Sequence, residues 1–208
     1  MPVTRHHALK FLLLVLACAI SAYALCYYWI YHNSSDGFIV KFRTLNPVLV
    51  YAHFTGGGLA LCLGALQLWS KSGSQLHRWL GRGYCLCVLI GAMGGLYLSF
   101  HSHLGLVTGL GFFILAVLWI TTTLLALKFA LSHQIDAHRR WILRSFALSC
   151  AAISLRALLP LLSLVFNFET SYILVAWLSW GINLALIEIY LHYTSTRSST
   201  PTIGNLAS

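Results

Sequence analysis

Long apolar runs separated by short basic segments dominate this chain, and that alternation leaves few folds open to it. The runs cover residues 9–31, 47–69, 79–100, 104–129, 141–166 and 172–193. Each reaches the roughly 20 residues that an α-helix needs to cross the hydrocarbon core of a bilayer. Only 8% of the residues are charged, against roughly a quarter in ordinary water-soluble domains. No aqueous surface can be assembled from that supply. The expected fold is therefore all-α: a polytopic membrane helix bundle of about six transmembrane helices, forming a single unit over residues 1–193. A Ser/Thr-rich tail over 194–208 is expected to be disordered.

Arg5, His6, His7 and Lys10 precede the first run, a start that also suits a secretory signal, and Ala22-Tyr23-Ala24 offers a small-x-small cleavage site. The run nevertheless continues through Tyr27, Tyr28 and Trp29 to spanning length with an aromatic end. An uncleaved anchor is the favoured reading. The formal net charge of +9 raises the question of nucleic acid, but the basic residues lie between apolar runs and form no basic face or arm. Lys71, Arg78 and Arg82 cluster about the junction of runs two and three, and Lys128, Arg139, Arg140 and Arg144 about that of runs four and five. These clusters share a side with the N-terminus, so the positive-inside rule places both termini in the cytoplasm. Lys41 and Arg43 oppose that orientation weakly.

The six cysteines, Cys18, Cys26, Cys62, Cys85, Cys87 and Cys150, sit almost wholly within apolar stretches and show no CxxC or zinc spacing. They read as reduced packing residues. Glycines recur within the runs at positions 56–58, 64, 91, 94, 95, 105 and 109. Close helix contacts explain them, and room for a flat macrocycle is a compatible second use. With four acidic residues in all, no Gly-rich phosphate loop, no nucleophile elbow and no HExxH, the sequence does not point to hydrolytic acid/base catalysis.

Ionisable side chains are costly within a bilayer, so those present ask for a reason. His53 lies two turns into the second run; His77 opens the third; His101 and His103 stand at the turn before the fourth; His138 opens the fifth. An imidazole near each end of several helices is what a haem-bearing bundle needs, because low-spin iron takes two neutral nitrogen ligands from opposite sides of the ring. An interfacial histidine facing headgroups is the plainer reading of any single one.

The order of His53, Leu76-His77-Arg78-Trp79-Leu80-Gly81, Ser99-Phe100-His101-Ser102-His103-Leu104-Gly105 and His138-Arg139-Arg140-Trp141 resembles the six-helix diheme transmembrane cytochromes of the ascorbate-reducible type. That resemblance implies haem b, one or two groups, with His53 and His101 as one axial pair on the outer side and His77 and His138 as the other on the inner side. The inner pair is the surer one, since both residues open their spans at matching depth. His103 is expected to be a surface polar group on another side of the helix. His77-Arg78-x-x-Gly81-Arg82-x-Tyr84 and His138-Arg139-Arg140-Trp141-x-x-Arg144-Ser145 also resemble an uncharacterised bacterial family of membrane proteins, which implies residence in the bacterial inner membrane.

Arginines form the second constellation. Arg156 lies inside the fifth run, roughly 10 Å from the outer end of a span that closes near Ser163, without a matching acid, so an external anion is one account: a haem propionate or a quinone oxygen. Snorkelling or a water pocket is the other. Glu188 on the sixth run is expected to pair with Arg144. Arg78, Arg82 and Arg139 are candidate propionate contacts, though topology already accounts for them. Three functions follow: a haem b electron carrier, a transmembrane oxidoreductase if it is an enzyme, working with a quinone or a small redox donor or acceptor; a haem-free transporter or proton-linked carrier; or an assembly factor of a membrane complex.

Overall fold

In the computed structural model, residues 2–27, 29, 32, 34–35 and 37–198 are described. Among them every regular element is helical: α1 (Pro2–Leu25), α2 (Gly37–Arg43), α3 (Pro47–Gln67), α4 (Gln75–Phe100), α5 (Gly105–Leu131), α6 (Ile135–Ser149), α7 (Ala151–Leu162) and α8 (Phe168–Ser198). Six helical segments are long and apolar enough to cross a membrane, with α6 and α7 together forming the fifth, Ile135–Leu162. The final helix continues to Ser198, past the start of the stretch read as a tail. Residues 199–208, the remainder of that stretch, lie outside the described residues.

Local chemistry sets the ends of these helices. Asn46 caps α3 by accepting from the Val48 and Leu49 amides, with Pro47 in the first helical position. Ser74 caps α4 by accepting from the His77 amide. Gly105 has φ +82, a left-handed conformation that glycine adopts without a Cβ clash, so the chain reverses within His101–Leu104 before α5 begins. Lys10 Nζ donates to the Leu68 carbonyl at 3.3 Å, meeting a carbonyl at the end of the second span.

The second and third spans form the most extensive pair, and the third, fourth and fifth then follow in sequence around the bundle. Small residues permit the first of these contacts. A Cβ on Gly91 would lie 2.7 Å from the Gly57 amide nitrogen, and one on Gly56 would lie 2.5 Å from that of Gly91. Backbone meets backbone there, as in small-xxx-small crossings. The fifth span breaks at Cys150, where Asn183 from α8 donates to the Ala147 carbonyl at 3.2 Å and accepts from Ser154 at 2.9 Å. Pro160 in α7 has no amide to donate to the Arg156 carbonyl.

The bundle thus has a basic end, with the N-terminus and the turns at 68–74 and 132–134, and a far end, with the turns at 101–104 and 163–167.

Candidate functional site

A cavity of about 250 Å³ opens inside the far half of the bundle, between the second, third, fourth and fifth spans, with span six closing one side. His53, His101, His103 and Arg156 all border it, and Gly57, Gly58, Gly91 and Gly95 form part of its wall. A Cβ added to Gly57 would meet nothing within 4 Å. The wall is therefore flat where glycines line it, and packing alone does not require glycine at 57.

Each cavity imidazole has a distinct support. His53 Nδ1 is 3.0 Å from the Gly91 carbonyl of the neighbouring span. A carbonyl can only accept, so Nδ1 carries the proton and Nε2 keeps its lone pair. Gly95 leaves room for this ring, since a Cβ there would come 3.1 Å from His53 Nδ1. His101 repeats the pattern within its own helix: its Nδ1 lies 2.8 Å from the Tyr97 carbonyl, and its ring sits 4.2 Å from that of Tyr97. The Tyr97 hydroxyl in turn accepts from the Asn46 amide at 3.0 Å, tying the start of the second span to the end of the third. His101 is the C-cap residue of α4, at the turn before the fourth span as the sequence suggested.

His103, expected to face elsewhere, is half-buried and borders the same cavity, edge-on to Phe42 with ring centroids 6.1 Å apart. Phe54, also on the wall, packs against His53 at 5.5 Å and stacks with Tyr27 at 4.0 Å.

Toward the basic end the cavity stops at Trp119 and Ser149. These belong to a buried ring of hydrogen bonds that links spans three, four and five. Trp119 Nε1 lies 2.9 Å from Ser149 Oγ, which lies 2.9 Å from the Tyr84 hydroxyl; that hydroxyl is 2.7 Å from Ser145 Oγ, itself 2.6 Å from Thr123 Oγ1. Thr123 Oγ1 returns a bond to the Trp119 carbonyl at 2.7 Å. Ser149 Oγ also lies 3.2 Å from the Ser145 carbonyl of its own helix, a competing acceptor for its one proton. With that proton turned to the shorter Tyr84 contact, the indole N–H donates to Ser149, Ser149 to Tyr84, Tyr84 to Ser145, Ser145 to Thr123 and Thr123 to the Trp119 carbonyl. Every hydroxyl donates once and accepts once. The ring was not legible in the sequence. Ser145 and Ser149 four apart, on one face of a helix, were its only trace.

The inner histidines lie beyond this ring. His77 is seven residues before Tyr84, and His138 is seven before Ser145. Spans three and five run parallel, so two helical turns below the Tyr84–Ser145 contact bring both residues to the same face, about 10 Å nearer the basic end. Ser70 Oγ donates to the Gln67 carbonyl at 2.8 Å and so accepts from His77 Nδ1 at 2.9 Å. His77 Nε2 then faces the Gln67 amide at 3.4 Å, a long contact. His138 Nδ1 donates to the Ala126 carbonyl at 2.9 Å. All four candidate ligands accordingly present an Nε2 lone pair.

The candidate arginines divide. Arg78, Arg82 and Arg139 are exposed at the basic end; Arg78 donates to the Gly73 carbonyl at 2.6 Å, and Arg82 lies 5.3 Å from the Trp79 ring. None of the three borders the cavity. Arg144 and Glu188 form a two-point ion pair at 2.5 and 2.8 Å, joining span five to span six as expected. It is the only ion pair among the described residues. Arg156 donates to the Ala152 carbonyl at 2.9 Å and lies 5.2 Å from the Tyr23 ring.

The family model for predicted membrane proteins designated DUF2306 matches residues 50–191, from the second span through the sixth. The chain belongs to this family. No curated protein and no solved structure matches it. As a DUF2306 member with six spanning segments, it is an integral, multi-pass membrane protein. Among the described residues no three His, Cys, Asp or Glu side chains gather closely enough to hold a bare metal ion. An axial pair across a macrocycle needs only two, one from each side.

Proposed function

We propose that this DUF2306 protein is a membrane b-type haem protein that carries electrons within or across the bilayer. The observation that carries the reading is the cavity at the far end. His53 and His101 come from different spans, border one space and hold Nδ1 on a backbone carbonyl. Such second bonds orient a ligating imidazole and fix its tautomer. Glycines flatten the wall between them, which suits a planar tetrapyrrole. Haem b bound there would supply reversible one-electron chemistry.

The chain's own residues would do the rest. His53 and His101 would hold the haem iron, Phe54 and Phe42 would keep water from the outer edge, and Trp119 would close the floor. His77 and His138 form a second pair, whose Gln67 contact must yield before both nitrogens can serve one iron. The basic clusters support cytoplasmic termini, so electrons would pass between a cytoplasmic or quinone donor and an acceptor beyond the far face.

The test is the reduced-minus-oxidised absorption spectrum and haem per protein of the purified full chain from cells well supplied with haem. Wild type is expected to give the sharp bands of a b-type cytochrome. His53→Ala and His101→Ala are each expected to weaken retention by at least about tenfold at the far site, compared with His103→Ala. His77→Ala or His138→Ala should likewise cost more haem than His103→Ala. Haem-free wild type rejects the cytochrome reading and leaves the transporter or assembly factor; equal haem in every variant keeps the cofactor and rejects the ligands.

A further inference from the structure

We infer that Arg156 and Ser179 form a carboxylate-binding subsite inside the far-end cavity. Arg156 borders that cavity in the membrane interior, and among the described residues the only ion pair is Arg144 with Glu188. Its visible bonds, to the Ala152 carbonyl and the Tyr23 ring face, supply no charge to balance a guanidinium. A cation kept there asks for an anion, and its planar fork matches a carboxylate.

Ser179 is the independent observation. It is 0% exposed, its Oγ has no hydrogen-bond partner, and it borders the same cavity from span six. A buried hydroxyl left unbonded is costly, and an acceptor brought by a ligand would satisfy it.

The two residues also share a level. The Ser154–Asn183 bond sets the register of the antiparallel spans five and six. Arg156 is two residues farther out on α7 and Ser179 four farther out on α8, so they stand within about 3 Å along the bundle axis. A carboxylate between them would accept from the guanidinium and from the serine hydroxyl together.

Two sources carry such a group into a bilayer cavity: the propionate of a tetrapyrrole, an alternative that rests on the haem reading, and the head of a free fatty acid. The experiment compares each acid with its methyl ester on the full chain, purified in detergent from haem-poor cells. Haem is paired with its dimethyl ester and followed by absorbance, and palmitate is paired with methyl palmitate and followed by calorimetry.

Wild type is expected to favour at least one acid over its ester by about tenfold or more, the scale of a charge-assisted pair. Arg156→Gln should bring that ratio close to one, Ser179→Ala should lower it severalfold, and Arg156→Lys should retain part of it. Unchanged ester affinity in the variants shows that the cavity itself has survived. Acid preference for palmitate in a chain that binds neither haem compound ends the haem reading and keeps the subsite. Haem bound as tightly as its ester, with no preference for palmitate, keeps the cofactor and overturns the subsite. A preference that survives both Arg156→Gln and Ser179→Ala overturns it as well.

Discussion

At the far end of the bundle, His53 and His101 border about 250 Å³ of space walled partly by glycine. At the basic end, His77 and His138 each lie two turns below the Tyr84–Ser145 contact, with the Gln67 amide 3.4 Å from His77 Nε2. The histidines have the same tautomer at both ends, and at the far end they border a formed space. The difference comes from what surrounds them. Glycines at 57, 58, 91 and 95 remove side-chain volume from the far half, whereas Gln67 and Ser70 occupy the ring nitrogens of His77 in the near half. Ligand type is therefore shared between the ends, and the neighbours of the ring nitrogens are not.

The largest effect is expected where glycine lets two backbones touch beside the cavity. A Cβ at Gly94 would collide with the Leu49 carbonyl oxygen and come 2.6 Å from the His53 amide nitrogen. Neither backbone atom can turn aside as a side-chain tip would. Gly94→Leu must therefore part spans two and three. It should cost at least about 1–3 kcal/mol, the usual range for overpacking, and sharply reduce folded protein in detergent thermal denaturation. Gly57→Ala is the control within the same segment, because its Cβ would meet open space. If both substitutions cost the same, the distinction between supporting and cavity-lining glycines fails.

The hydroxyl ring separates the two ends, and Tyr84→Phe tests how firmly it does so. The substitution removes one hydroxyl and leaves Ser145 and Ser149 without the bonds it supplied, in a part of the core where Tyr84 is 1% exposed. Buried partners stranded in this way usually cost about 1–3 kcal/mol, while side-chain hydrogen bonds measured inside membranes average about 0.6 kcal/mol. An intermediate loss of about 1 kcal/mol is expected in reversible unfolding. A loss near zero would mean that the serines re-bond to their own helix, and that the ring does not lock the two halves together.

The six spans were legible in the sequence because hydropathy over 20 residues directly reflects the cost of placing backbone and side chains in hydrocarbon. The pairing of Arg144 with Glu188 was legible because a lone acid in a span seeks a cation. The break at Cys150 was not, since no proline or glycine marks it and its support, Asn183, comes from another helix. The ring escaped for a related reason. A serine in a membrane helix ordinarily bonds its own backbone, as Thr121 does with the Val117 carbonyl, and nothing local announces that Ser145 will turn to a tyrosine two spans away. His103 was misjudged because the 100° step between residues holds only within a helix, and the chain leaves the helix at His101.

The smallest effect is expected at the basic end, from Glu188→Gln. The Arg144–Glu188 pair has good two-point geometry, but its side chains are 21% and 47% exposed, at a level where headgroups and water screen charge. Exposed pairs are typically worth about 0–1 kcal/mol. Arg144 also lies 4.7 Å from the Trp141 ring, a cation–π contact that persists when the acid becomes an amide. Glutamine keeps an oxygen that can accept one guanidinium bond. The substitution should therefore lower stability by less than about 1 kcal/mol, well below Gly94→Leu, and it should leave the far-end cavity unaltered. A double-mutant cycle with Arg144→Met, read by reversible unfolding, isolates the pair from the stacking contact. A coupling of several kcal/mol would show that this pair is shielded as a buried one is, and that the basic end is held by charge where the far end is held by close backbone packing.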